Sequence, residues 1–312
     1  MQKKLARSRI ILAVFVYILS PACYSKNPSF NSMIGLETRL FTESAEPGTN
    51  NQSSFHNYLS FSHEIFYKRE KNSFFVDIYG NRDFSESGRT YLDIREGFYQ
   101  NIREGFDITV GISHVFWGVA ESVHLVDVIN QTDASGDITG EDKLGQPMVR
   151  INLFKDWGDV SIYLLPYFRT RNYPSSPGRL STNLPISKNP TFEAKEKEKH
   201  VDYALRFQNY FGNFDIGFSY FRGTSREPML SVQAESIDVD YFQINRAGLD
   251  VQYTAQSLLY KLEVIGQRRY SKSFFAAVVG IENTLYGIFK AHDLGLLAEY
   301  QWDERDNKIL PR

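Results

Sequence analysis

Residues 201–222 read VDYALRFQNYFGNFDIGFSYFR. Val201, Tyr203, Leu205 and Phe207 alternate with Asp202, Ala204, Arg206 and Gln208, and past a short link at Gly212 the period continues. Phe214, Ile216, Phe218 and Tyr220 alternate with Asp215, Gly217 and Ser219. Side chains along an extended chain point to opposite faces in turn, so this spacing predicts two strands, each apolar and aromatic on one side and polar on the other. The same period recurs in 256–269, where Leu258, Tyr260, Leu262 and Val264 flank Lys261 and Glu263. It recurs again in 292–302, where Leu294, Leu296, Ala298, Tyr300 and Trp302 flank Asp293, Gly295, Glu299 and Gln301. About thirteen such runs cover the chain, near 32–41, 54–69, 72–84, 88–102, 104–113, 148–155, 157–170, 200–211, 213–222, 240–253, 256–269, 273–289 and 292–302.

Composition agrees with strands that are wet on one face. Aromatic residues make up 15% of the 312, from 24 Phe, 19 Tyr and 3 Trp, with 23% of residues charged. The mean hydropathy is nevertheless −0.36, so the rings are dispersed among polar residues. A net charge of −2 does not suit a nucleic-acid binder. The single cysteine excludes a disulfide scaffold and a Cys-built zinc site.

Residues 1–25 have the layout of a secretory signal peptide. Lys3, Lys4, Arg7 and Arg9 precede the apolar run Ile10–Leu19, and small residues follow at Ser20, Ala22 and Ser25. The apolar run is well short of the ~20 residues that a spanning helix needs. Cleavage before Cys23 or after Ser25 both fit. A lipidated Cys23 is disfavoured because Ser20 and Pro21 stand where a lipobox begins. Loss of the leader takes four of the 35 cations, leaving 31 against 37 acids and a net charge of −6.

No later segment offers an apolar stretch long enough for a spanning helix. Several runs reach ten residues or more, the length of a tilted strand crossing a bilayer. The links sort by parity as well. Those after even-numbered runs are all short, around Glu70-Lys71, Arg103, Asp156, Gly212, Ala255 and Ala291. The long ones, at 42–53, 114–147, 171–199 and 223–237, all follow odd-numbered runs, as do the short links 85–87 and 270–272. Outer-membrane barrels show this asymmetry, and a soluble sandwich has no reason to. The expected fold is all-β: an antiparallel transmembrane β-barrel of the bacterial outer-membrane type over 26–312, after a signal peptide over 1–25. Its expected partners are outer-membrane lipid, the outer-membrane assembly machinery and small polar solutes, with no nucleic acid and no cofactor.

The 114–147 link is too apolar to lie wholly in water and is expected to fold into the lumen as a constriction. Its acids Glu121, Asp127, Asp133, Asp137, Glu141 and Asp142, with His124, would then face Arg95, Arg103, Arg150, Arg169 and Arg206 on the wall. Opposed rows of charge place a transverse field across a pore. The alternative is a hydrated wall held by ordinary ion pairs. No catalytic residue is assigned: Ser122 and His124 lie close in sequence but lack a G-x-S-x-G elbow and a third partner. No metal site is assigned either, because His124 and Asp127 alone do not make one.

The blocks FWGVAESVHLVDVINQTD (116–133) and GEDKLGQPM (140–148) resemble an uncharacterised, porin-like family of proteobacterial outer-membrane β-barrel proteins. DWG at 156–158, GTSREP at 223–228, YGIF at 286–289 and DLGLLAEY at 293–300 extend the resemblance over most of the mature chain. It implies a porin-like barrel without a settled substrate, and no site residue is carried over. Members of that family continue for several strands beyond the last block and end on an aromatic residue. An odd run count also leaves a barrel's end on the wrong side. The sequence is therefore expected to hold an incomplete barrel, truncated at the C-terminus. The functional alternative is a plugged structural or binding barrel that engages a partner through its external loops.

Overall fold

The computed structural model describes residues 10–19, 28–43, 53–136, 141–174, 179, 181–182, 184–270, 272–288 and 292–305, the first of these by backbone alone. All thirteen expected strands form: β1 Ser29–Phe41, β2 Phe55–Arg69, β3 Asn72–Asp83, β4 Tyr91–Arg103, β5 Phe106–Ser113, β6 Gln146–Lys155, β7 Gly158–Leu165, β8 Asp202–Phe211, β9 Phe214–Thr224, β10 Gln243–Ala255, β11 Leu258–Arg269, β12 Lys272–Leu285 and β13 Leu294–Asp303. Each pairs antiparallel with its neighbour in sequence, giving one large meandering sheet. Ile10–Leu19, read above as the core of a signal, pairs antiparallel with β1 as a fourteenth strand at the edge. Among the described residues β13 pairs only with β12, so the sheet is not closed on itself.

The structure departs from the periodicity at a strand end and within two of the long links. Pro166 cannot donate to a ladder, and β7 stops at Leu165 rather than 170. The link before β6 contains two short paired strands, Gln131–Thr132 and Lys143–Leu144. The link before β10 carries Met229–Val232 and Ile237–Tyr241, which form a small separate sheet with Thr191–Phe192 from the 166–201 link.

The cross-strand register defines two faces. One row runs Val110, Val149, Leu164, Tyr203, Arg222, Asn245, Arg268 from β5 to β11. It is the exposed face, with Tyr203 54% exposed. The neighbouring row runs Asp107, Asn152, Ser161, Arg206, Ser219, Gly248, Ile265, Ala276, and it is the covered face. Followed through all thirteen strands, these registers turn every one of the strands' acids, from Glu37 on β1 to Asp303 on β13, to the covered face. The opposite face carries Ile34, Phe61, Leu92, Val110, Leu164, Phe218, Val279, Tyr300 and Trp302, all exposed. Hydrophobic burial in water would produce the reverse arrangement.

The covered face is concave, and the 114–136 segment lies in it. Glu121 and Ser122 bond to Glu299 on β13, and Asp133 takes the hydroxyl of Tyr91 on β4. A flat sheet would hold β4 and β13 about 43 Å apart at ~4.8 Å per strand. Eleven fully extended residues cover at most about 40 Å, and this segment is not extended. The sheet must therefore curl around it. Trp117, Val126, Val128 and Ile129 pack with the inward Met148, Tyr163, Leu165, Phe221, Ile244 and Ile265 to form the main apolar core.

Candidate constriction inside the curled sheet

The neck of the inward segment is tied by Asn130. Its amide oxygen accepts the Val115 N–H (2.9 Å), and its Nδ2 donates to the carbonyls of Ser113 (3.0 Å) and Leu144 (2.9 Å). Glu96 on β4 accepts the His114 N–H at 2.9 Å. Beyond the neck the segment has no regular secondary structure, so its peptide groups need partners from the wall.

Glu263 on β11 is the principal partner. Fully buried (0% exposed), it accepts the N–H of Val119 (2.8 Å) and Ala120 (2.9 Å) on Oε1 and that of Val126 (3.2 Å) on Oε2. Gly118 lets the chain approach this carboxylate. Its φ is +128°, and a Cβ there would lie 2.6 Å from Glu263 Oε1. On β13 Glu299 accepts the N–H of Glu121 and of Ser122, both at 2.8 Å, and also the Ser122 hydroxyl. Arg246 on β10 donates to the Leu125 carbonyl at 3.2 Å. Two wall carboxylates thus hold five backbone N–H groups of one loop.

The residues singled out from sequence are distributed around this anchor. Glu121 accepts from Lys261 Nζ at 2.6 Å, and Lys261 also pairs with Glu282 at 2.7 Å. Asp127 lies in the interior with Lys143 Nζ 3.8 Å away. Burial pushes its carboxyl up to about 6, against the opposing pull of Lys143 and His124. The His124 and Phe116 rings meet edge to face with centroids 4.7 Å apart, and the His124 Nδ1 is buried without a hydrogen-bond partner among the described residues. Asp133 closes its own turn, accepting the Ser135 and Gly136 N–H groups at 3.1 and 3.2 Å. Asp142 meets Arg95 at 3.5 Å, and the Arg95 guanidinium lies 3.4 Å above the Tyr79 ring. Glu141 is exposed. Asp137 lies outside the described residues.

On the wall, Arg206 makes a bidentate pair with Asp250, both contacts 2.8 Å, with its guanidinium 5.2 Å from the Trp117 ring. Arg150 donates to Thr109 Oγ1 at 3.2 Å. Arg169 lies past the end of β7, where it bonds Asp93 at 2.7 Å and the Gly145 carbonyl at 2.9 Å. Arg103 corrects the sequence expectation, because it does not point into the concave face. A β-bulge on β4 sets Asp77 against Glu96 but Ile78 against Ile94, so Arg95 is an extra residue. One extra residue reverses the alternation beyond it. Arg103 therefore points outward at the turn and bonds Asn101 at 2.8 Å.

Among the expected pairs of loop acid and wall base, the structure brings Asp142 to Arg95. The decisive wall residues, Glu263, Glu299 and Lys261, were legible only as polar positions of their strands. Charge of both signs lines this face, a setting suited to polar solutes or to holding a loop. Among the described residues no group of three or more His, Cys, Asp or Glu could hold a metal ion, and no helix is long and apolar enough to cross a membrane. In comparisons with known proteins, no family model and no curated protein matches this chain.

Proposed function

We propose that this chain is an exported, porin-like outer-membrane β-barrel protein that passes small polar solutes, with the 114–147 segment as its constriction. The inverted polarity of the sheet carries this reading. Buried groups such as Glu263, and the Arg206–Asp250 pair, lie on the concave side, while the exposed face is dominated by aromatic and aliphatic residues. A lipid-facing barrel needs that arrangement, with a polar lumen and an apolar outer belt. The parity of the links and the leader over 1–25 support the same reading, as do the blocks resembling outer-membrane barrels. Outer-membrane lipid and the barrel assembly machinery are its proposed partners.

A plugged barrel is the second reading, favoured by the five backbone N–H groups held by Glu263 and Glu299. Outer-membrane fractions run unboiled and boiled test the barrel, since a closed barrel migrates fast until heated. Absence of the chain from that fraction refutes the proposal. Planar-bilayer conductance separates the two readings: discrete steps from the wild-type protein support the channel, and a silent insertion supports the plug.

A further inference from the structure

The outward wall is segregated by sign. Among the described residues of the thirteen strands, its only Lys and Arg are Arg69, Arg82, Arg103, Lys155, Arg222 and Arg268. All six are exposed, and each lies within three residues of a strand end. No acid shares that wall, and none of the six is in an ion pair among the described residues. Arg69, Arg103 and Lys155 mark the rim at the ends of even-numbered strands, where every link is short, and Arg82, Arg222 and Arg268 the opposite rim, which also carries the long links.

Arg82 differs from the other five in its surroundings. It borders a hollow of about 230 Å³ on the outward wall, lined also by Ile34, Leu59, Phe61, Gly80 and Leu92. Ile34, Phe61, Gly80 and Leu92 form one cross-strand row over β1 to β4. The missing side chain at Gly80 lets Phe61 lie against the backbone, and a Cβ there would be 2.3 Å from the ring. Leu92 stands 69% exposed at the other side. The depression is thus apolar in its floor and cationic at the end nearest the rim.

We infer that the Gly80 hollow with Arg82 is a seat for a membrane lipid whose phosphate headgroup is net anionic, its acyl chain along Ile34, Leu59 and Leu92 and its phosphate on the guanidinium. Charge complementarity selects this occupant: an outward cation with no acid on its wall, one residue from the end of β3, beside a hollow floored mainly by apolar side chains. The inference rests on the proposal that this wall faces lipid.

The test uses the full chain in phosphatidylcholine bilayers with trace spin-labelled phosphatidylglycerol or spin-labelled phosphatidylcholine, read as the motionally restricted fraction. Wild type should favour phosphatidylglycerol at one site by about fivefold, the worth of one cation at a membrane surface. Arg82→Gln should abolish the preference, Arg82→Lys should keep it, and Arg222→Gln should leave it unchanged. Equal loss in Arg82→Gln and Arg222→Gln overturns the seat, because the preference then belongs to the whole collar. A restricted fraction that is blind to headgroup in the wild type overturns it too. If no restricted fraction appears with either label, the membrane proposal itself fails, a result distinct from both.

Discussion

Replacing Glu263 tests how the inward segment is held. The carboxylate satisfies the N–H groups of Val119, Ala120 and Val126 from a fully buried position. A hydrogen bond to a charged group contributes about 1.5–3 kcal/mol, and an orphaned buried donor costs about 1–3 kcal/mol. Glu263→Gln keeps an oxygen for Val119 and Ala120 but sets an amide NH2 against the Val126 N–H, at an expected cost of about 1–3 kcal/mol. Glu263→Ala orphans all three donors and leaves a void, at an expected cost of about 3–6 kcal/mol to the docked state. Because 1.4 kcal/mol is tenfold, local opening in the Ala variant should rise at least about a hundredfold. Hydrogen exchange reads this at the three amides, with the strand amides of β11 as internal reference. In a bilayer, current noise from the loosened segment should rise in the same order, Gln before Ala. Unchanged exchange at Val119, Ala120 and Val126 in the Ala variant would refute this account of the anchor, whatever the conductance does.

Asp127 should make docking of the segment pH-dependent. Its carboxyl is raised from 3.8 to about 6 by burial, so the folded state holds the proton more tightly than the unfolded one. The resulting stabilisation is present in full below about pH 4 and is lost as the pH rises through about 6, a total of roughly 3 kcal/mol. Protection of the amides across 124–129, corrected for intrinsic base-catalysed exchange, should fall over that interval, and Asp127→Asn should flatten the profile. Arg206→Ala leaves Asp250 buried without its bidentate partner and should destabilise the sheet by about 3–5 kcal/mol. The Arg206→Ala/Asp250→Ala double variant should recover part of that loss, measured by urea unfolding. Arg103→Gln should leave ion selectivity unchanged while Asp142→Asn shifts the reversal potential, because Arg103 faces outward and Asp142 meets Arg95 inside.

Strand existence and order were legible because alternation is local. Each of the runs 201–211, 213–222 and 256–269 declares its two faces from its own residues, and the short links leave a meander as the simplest pairing. That 114–136 folds inward was also readable, since Trp117, Val126 and Ile129 are too apolar for a loop in water. Pro166 is a local signal as well, and it ends β7 where the periodicity continues to 170. The bulge at Arg95 had no comparable signal. It depends on how β3 and β4 pair, and it reversed the face of Arg103 while leaving Arg95 inside.

What the sequence determined by itself is therefore one-dimensional: which residues extend, which side of each strand is wet, and which links are long. Partnership was decided by the tertiary structure alone. Glu263 holds residues 137 to 144 positions away and Glu299 residues 177 to 178 positions away. A polar residue on a strand shows that it needs a partner, but which group meets it depends on how far the sheet curls. That curl is set by the twist of all the strands together and by the loop they enclose, so no local run of sequence encodes it.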